Sequence, residues 1–199
     1  MAPKLKITKS DIIGGAIELV RQSGVSSLGS RSLAAHLGCS TQPIFSNFSS
    51  MEELEREVIL AAYNLYAGFL RAEAESGKYP GYKAYGIAYI RFAREEKELF
   101  KLLFMRDRGG DESISSPDFD ASVEMIMASC GLCRESATMM HLEIWSFVHG
   151  IAAMIATSFF TPDEELISKM TSDVYSSLRE KFIKEELDSE NLRKQSARN

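Results

Sequence analysis

Cysteine is scarce in this chain: the 199 residues contain three, Cys39, Cys130 and Cys133, too few for a disulfide-stapled scaffold. Cys130 and Cys133 have a C-x-x-C spacing, a pattern that can bind metal or serve as a redox switch. No second pair accompanies it, and nothing in sequence ties His141 or His149 to it, so structural cysteines and no metal site are the favoured reading. Cys39 is expected to pack rather than react. Also lacking are a nucleophile motif, a phosphate-cradling glycine loop and a paired metal-ligand motif, which argues against an enzyme and leaves no cofactor to expect. Acid–base chemistry by His141, Glu143 or His149 in a helical body is the weaker alternative.

No apolar segment follows Lys4 and Lys6, so no secretory signal is expected and the cytoplasm is the expected compartment. Ile144 to Pro162 carries no formal charge and approaches the roughly 20 residues of a membrane span. Ser146, His149, Gly150, Thr157 and Ser158 interrupt it, and a buried helix at a subunit interface accounts for it better than a membrane does.

What the chain does have is an ordinary globular composition, 45% apolar and 26% charged, enough for one large or two small cores. The net charge of -5 is unevenly spread: residues 1 to 50 hold five basic groups (Lys4, Lys6, Lys9, Arg21, Arg31) against two acidic ones, Asp11 and Glu18, and the remainder is strongly acidic. An acidic body and a basic N-terminal part would orient the molecule toward a polyanion.

The most informative stretch is Ser30 to Leu54, where two short helical patterns meet at Gly38-Cys39-Ser40. Leu33, Ala34 and Leu37 share one helical face, and Gly38 can take the left-handed conformation that ends a helix. Ser40 is the expected N-cap of the second helix, bonding the Gln42 amide, with Pro43 in the first turn where a missing donor costs little. Ile44, Phe45 and Phe48 are expected to pack inward. Thr41, Gln42, Ser46 and Asn47 then stay exposed as short polar groups able to meet phosphates or base edges, the arrangement a DNA-reading helix-turn-helix needs.

These residues, Leu33-Ala34 through Leu37-Gly38-x-Ser40, then Ile44-Phe45-x-Asn47-Phe48 and Glu52-Glu53-Leu54, resemble the TetR family of transcriptional regulators. The resemblance runs from about Ile7 to Leu54: Ile12, Ala16 and Leu19-Val20 resemble the first helix, closed by Gly24, and Ser30-Arg31 the start of the second. Two positions depart from the family, which usually has Tyr at Phe45 and Lys at Met51, both commonly touching the DNA backbone. Downstream, Tyr89-Ile90-x-Phe92-Ala93, Leu99-Phe100-x-Leu102-Leu103-Phe104 and Trp145 through His149-Gly150 resemble a ligand-domain subgroup named for its Trp, His and Gly.

The remainder reads as helices without a strand pattern. Ser50 and Glu53 form a capping box opening a helix to about Ser76, and Lys78 to Gly81 breaks it. Further helices are expected over 82–95, 98–105, 118–129, 134–160 and 163–187, with Arg106 to Pro117 as a loop and Thr161 capping the last helix. The expected fold is thus all-α, with an N-terminal three-helix DNA-binding domain (1–50), a helical effector-binding and dimerisation domain (51–187) and a polar, frayed tail (188–199). Leu142, Trp145, Ala152, Ala156 and Phe159 on one long helix, with Leu166, Met170, Val174, Leu178 and Phe182 on the next, are the candidate homodimer surface, the alternative being closure of the subunit's own core.

The resemblance implies a ligand-responsive regulator, a repressor rather than an activator, holding a palindromic double-stranded DNA operator and released by a small-molecule effector. A redox-responsive regulator using Cys130 and Cys133 is the alternative. Thr41 and Gln42 are the candidate base or phosphate contacts. Ser30, Arg31, Ser46 and Asn47 are placed for phosphates, with Lys4, Lys6 and Lys9 as a basic arm. Tyr66, Tyr85, Tyr89, Phe104, Met125, His141, Trp145 and His149, together with Phe69, Phe92, Met105 and Met139, are candidate linings of a mostly apolar effector cavity.

Overall fold

The computed structural model describes residues 7–107 and 117–196. Lys4 and Lys6, and most of the loop expected between Arg106 and Pro117, lie outside those residues. Among the described residues the chain is all-α, and it divides into two compact units. Residues 7–69 and 92–107 make the first, and residues 70–91 and 117–196 the second.

The first unit begins with α1 (Lys9–Ser23), capped by Thr8. The Asp11 amide donates to Thr8 Oγ1 at 3.2 Å and the Thr8 amide donates to Asp11 Oδ2 at 2.8 Å, so two orphan donors are satisfied reciprocally. The Thr8 contacts also hold the Asp11 carboxyl below its ordinary range. Ile12, Ala16, Leu19 and Val20 are buried, as their spacing predicts, together with Ile17. The chain then makes a 3₁₀ turn (Val25–Ser27) into α2 (Ser30–His36), where Leu33 and Ala34 face inward. Gly38 has φ 64°, so the left-handed turn expected there is formed. Short helix α3 (Gln42–Asn47) follows, then α4 (Met51–Ser76). The unit closes with the end of α5 (Gly81–Glu95) and all of α6 (Lys97–Phe104), whose Leu99, Phe100, Leu102 and Leu103 are buried. Helix α1 packs against α2, α3 and α6. The Arg21 guanidinium forks onto Glu96, with Nε to Oε2 at 2.8 Å and Nη2 to Oε1 at 2.7 Å, pinning α1 to the α5–α6 junction.

The start of α4 differs from expectation in one respect. Ser50 Oγ accepts from the Glu53 amide at 3.2 Å, but the Glu53 carboxylate reaches Ser49, taking its amide at 2.7 Å, instead of completing the box on Ser50. The Ser49 bonds hold the Glu53 carboxyl below its usual range.

The second unit contains the last residues of α4, most of α5, α7 (Pro117–Cys130), α8 (Arg134–Ala156) and α9 (Glu164–Ser196). Helix α8 packs against both α7 and α9. It is long and apolar enough to cross a membrane by length and composition, but its inward row Ile144, Val148, Ala152 and Ala156 is buried within the unit. Gly86 of α5 faces this row: a Cβ there would lie 3.7 Å from a Val148 methyl, an ordinary van der Waals contact.

The uncharged run does not continue as helix to residue 160. Helix α8 stops at Ala156, with Thr157 as its C-cap and Ser158 at φ 58°. The cap of α9 is correspondingly Asp163, not Thr161: Asp163 Oδ1 accepts from the Leu166 amide at 2.8 Å. At its other end α9 passes the expected stop at Leu187 and continues to Ser196. Lys, Arg, Glu and Leu there are good helix formers, and backbone bonding needs no apolar face to continue.

The dimer surface expected from the sequence divides by burial. Ala152, Ala156 and Phe182 belong to the unit's own core, while Trp145, Phe159 and Leu166 are exposed, Phe159 at 83%. The sequence groups Ala152 and Ala156 with Trp145 on one long helix, but a helical residue turns about 100° from its neighbour, and the row through Val148 is the one packed inward.

Candidate nucleic-acid interface and effector site

The turn at Gly38 delivers the chain into α3 with no side-chain cap bond. Thr41 is the cap residue in place of the expected Ser40. Thr41 already has helical angles, φ -70° and ψ -14°, and its carbonyl accepts from the Ile44 amide at 3.1 Å and the Phe45 amide at 3.3 Å. Pro43, which has no amide hydrogen, thus falls where no intrahelical donor is needed.

Ile44, fully buried, and Phe48, 2% exposed, fasten α3 to the unit's core. Phe45 does not join them; it is 52% exposed. The reason is local. Phe48 follows the helix in extended backbone, φ -133° and ψ 136°, so its ring reaches the core by a route unrelated to helical spacing, and Phe45 lies about 100° around α3 from Ile44. Gln42, Phe45 and Ser46 form the open face, with Thr41 and Asn47 half-buried at its margins. Ser46 Oγ donates to the Gln42 carbonyl at 2.9 Å and Asn47 Nδ2 to the Pro43 carbonyl at 2.8 Å, so both polar groups are folded back on their own helix. Each must turn outward to meet a phosphate. Ser30 opens α2, half-buried, and Arg31 beside it is exposed.

The positive charge of this region is thinner than the sequence count implies. Lys9 is held by Glu57 at 2.6 Å and sits 5.2 Å from the centre of the Phe48 ring, and Arg21 is held by Glu96 and Glu18. The Lys9–Glu57 and Arg21–Glu96 pairs join positions far apart in sequence, beyond the reach of a regional charge count. Among the described residues 7–50, Arg31 is the Lys or Arg side chain with no carboxylate partner.

The candidate effector residues fall into both units. Tyr66 and Phe104 belong to an aromatic cluster in the first, with ring centres 5.3 Å apart and Phe92 5.4 Å from Tyr66. Phe69 joins it, 5.3 Å from Phe92. Tyr85, Tyr89, Met125, His141, Trp145 and His149 lie in the second unit. Met105 and Met139 are exposed. Sequence spacing shows which residues share a helix face, but not which unit that stretch of helix joins.

Within the second unit two histidine–tyrosine pairs connect α5 to α8. The Tyr82 hydroxyl lies 2.8 Å from His141 Nδ1, and the Tyr89 hydroxyl 2.8 Å from His149 Nδ1. The ring tautomer sets which member of each pair donates. Burial pushes the His141 pKa down to about 4 and lowers that of His149, and it raises the Tyr82 phenol, so the Tyr82–His141 pair is neutral near pH 7. Phe119 meets His141 edge-on at 4.8 Å, and the Trp145 ring lies 5.4 Å from His149 at 32°. Sequence spacing does not single out Tyr82, because its partner is 59 positions away. Its place at the N-terminal turn of a helix facing a histidine-bearing one was the available signal.

Cys130 and Cys133 are free thiols at the α7–α8 connection. Cys130 Sγ lies 3.4 Å from the Tyr175 hydroxyl, and Cys133 Sγ 3.4 Å from Ser136 Oγ. Among the described residues no group of three His, Cys, Asp or Glu side chains is placed to hold a metal ion.

Two comparisons bear on these units. Residues 82–173 match the family described as tetracyclin repressor-like, C-terminal domain. An uncharacterized HTH-type transcriptional regulator of Mycobacterium tuberculosis is 25% identical over 161 residues, covering 79% of this chain and 74% of that protein. A helix-turn-helix built on Gly38 and α3, together with these two matches, makes the chain similar to TetR-type transcriptional regulators.

Proposed function

We propose that the protein is a ligand-responsive homodimeric repressor of the cytoplasm that holds a palindromic operator and releases it when a small molecule binds the second unit. The observation that carries this reading is the open face of α3, with Gln42, Phe45 and Ser46 held outward by the burial of Ile44 and Phe48 and half-buried Thr41 at its margin. One such helix covers a half-site, so a two-fold dimer with its reading helices about one DNA turn apart, ~34 Å, fits a palindrome. The half-buried residues Leu142, Met170, Val174 and Leu178, with exposed Trp145, Phe159 and Leu166, supply the pairing surface on α8, α9 and the turn between them. Gln42 and Thr41 meet base edges or phosphates; Ser30, Arg31, Ser46 and Asn47 meet phosphates, and Lys9 contributes as far as Glu57 leaves its charge unscreened.

The effector is of a neutral class. Around Tyr89, His149 and Trp145, and around Tyr82, His141 and Phe119, the second unit offers aromatic faces with single hydrogen-bonding atoms, which suits an apolar molecule carrying a hydroxyl or carbonyl. Tyr85 and Met125 lie on the same helices as Tyr82 and Phe119. This part of the reading accords with the Trp-His-Gly subgroup resemblance. Helix α5 carries Tyr82 and Tyr89 in its second-unit turns and leads directly into Glu96, the partner of Arg21 in the first unit. A ligand preferring the conformation that binds DNA poorly would act along this helix. Glu96→Gln is expected to preserve operator affinity while weakening effector-induced release severalfold. Release equal to the parent protein's would remove α5 from the route.

The deciding experiment is titration of the purified protein onto DNA from upstream of its own coding sequence and onto random DNA, at several salt concentrations. Preference for the upstream DNA, with two protomers per palindrome, is expected. Equal binding to both would overturn the reading. Arg31→Ala should weaken operator binding about tenfold irrespective of sequence and flatten the salt slope by about one unit. An unchanged slope would show that Arg31 does not touch phosphate.

A further inference from the structure

Phe45 is the one large apolar side chain on the open face of the reading helix, and nothing in its own unit accounts for that position. Ile44 and Phe48 already fill the core beneath α3, and Phe45 is 52% exposed, between exposed Gln42 and exposed Ser46. A phenyl ring has no hydrogen bond to offer a phosphate or the polar edge of a base. In the major groove the apolar feature is the C5-methyl group of thymine, which gives that edge a hydrophobic contact as well as an acceptor. The polar neighbours restrict the alternatives further, because Ser46 and Asn47 are bonded to the helix's own carbonyls, leaving Gln42 and Phe45 to present their full side chains.

Resting on the operator-binding reading above, we propose that Phe45 is a specificity-determining residue that reads a thymine methyl in each half-site. Gln42 and Phe45 are three residues apart, and a helix advances about 1.5 Å per residue, so the two side chains are displaced by roughly 4.5 Å along α3. That is little more than the ~3.4 Å between successive bases of a strand. The thymine is therefore placed within about one base step of the pair that Gln42 meets.

The contact lets the protein discriminate without a hydroxyl at this position. It predicts sensitivity to one methyl group, a change that leaves every Watson–Crick hydrogen bond of the DNA intact. Burying a methyl against the ring corresponds to about a fourfold affinity difference per half-site, and about tenfold to twentyfold when both half-sites lose it.

The test starts from a palindromic duplex selected by the full-length protein from a random-sequence pool. Each symmetry-related pair of thymines is then replaced by deoxyuracil, which lacks the C5-methyl. The expected result is a loss of about tenfold or more at one pair of positions and little change at the others. Phe45→Ala, at an exposed site, should retain its helix content and melting temperature and bind the thymine and deoxyuracil duplexes equally. Indifference of the parent protein to deoxyuracil at every position would overturn the proposal, as would full discrimination persisting in Phe45→Ala. Failure of the selection to enrich any sequence is a separate outcome: it would overturn operator reading itself, and this contact with it.

Discussion

Replacing Phe48 by alanine should destabilise the first unit by about 3 to 5 kcal/mol, the usual cost of emptying a buried aromatic site, and abolish operator binding at ordinary temperature. The ring is 2% exposed and directly follows the C-terminus of α3. Ile44 alone would then hold a helix of six residues, too short to persist without tertiary contacts. Lys9 would lose the ring face 5.2 Å from its ammonium, although its bond to Glu57 remains. Urea unfolding followed by circular dichroism measures the loss, and gel-shift titration measures the binding. A change below about 1 kcal/mol with operator affinity intact would mean that α3 is positioned by something other than this ring. Phe45→Ala is the natural control, since the neighbouring ring is outside the core and its removal should leave stability within about 0.5 kcal/mol.

The second large effect is on pH. His141 is buried against Phe119 and Tyr82, and that burial lowers its pKa to about 4 from an ordinary 6.5. The unfolded chain therefore binds a proton between about pH 6.5 and 4 that the folded protein refuses. Stability from this group is fully present above about pH 6.5 and drains away as pH falls through 4. A depression of this size corresponds to about 3 kcal/mol over that interval. Asp11 and Glu53, with carboxyls held below their ordinary range, add losses of the same sign at lower pH. Comparing parent and His141→Gln separates the contributions: glutamine can still meet the Tyr82 hydroxyl but does not titrate, so its stability should fall less between pH 7 and 4. Parallel stability curves for the two proteins would show that His141 is not held neutral by its surroundings.

Most of the short-range reading of the first unit agrees with the structure because its determinants are short-range. Ile12, Ala16, Leu19 and Val20 are buried at helical spacing, Gly38 takes a positive φ, and Ser30 and Ser76 stand at helix ends. Where two neighbouring caps compete, local pattern was insufficient. Ser40 and Thr161 look like caps in sequence, yet α3 starts from Thr41 and α9 from Asp163. The choice follows the path by which the preceding turn delivers the backbone. Phe45 shows the same limit in the core: hydrophobicity implied burial, whereas Ile44 and the extended backbone at Phe48 left no inward place for a third apolar side chain.

The amino-acid sequence by itself determined the all-helical class, the sharp turn between α2 and α3 and the polar character of the reading helix, because each depends on periodicity, a positive φ or residue chemistry within a few positions. Tertiary structure decided that Glu57 and Glu96 draw on the charges of Lys9 and Arg21, that Tyr82 and Tyr89 meet His141 and His149, and that Tyr66, Phe69, Phe92, Phe104 and Met105 belong to a different unit from Tyr85, Tyr89, Met125, Met139, His141, Trp145 and His149. These are meetings between residues tens of positions apart. Their partners are selected by how whole helices pack, and a side chain's neighbours along the chain carry no record of that selection.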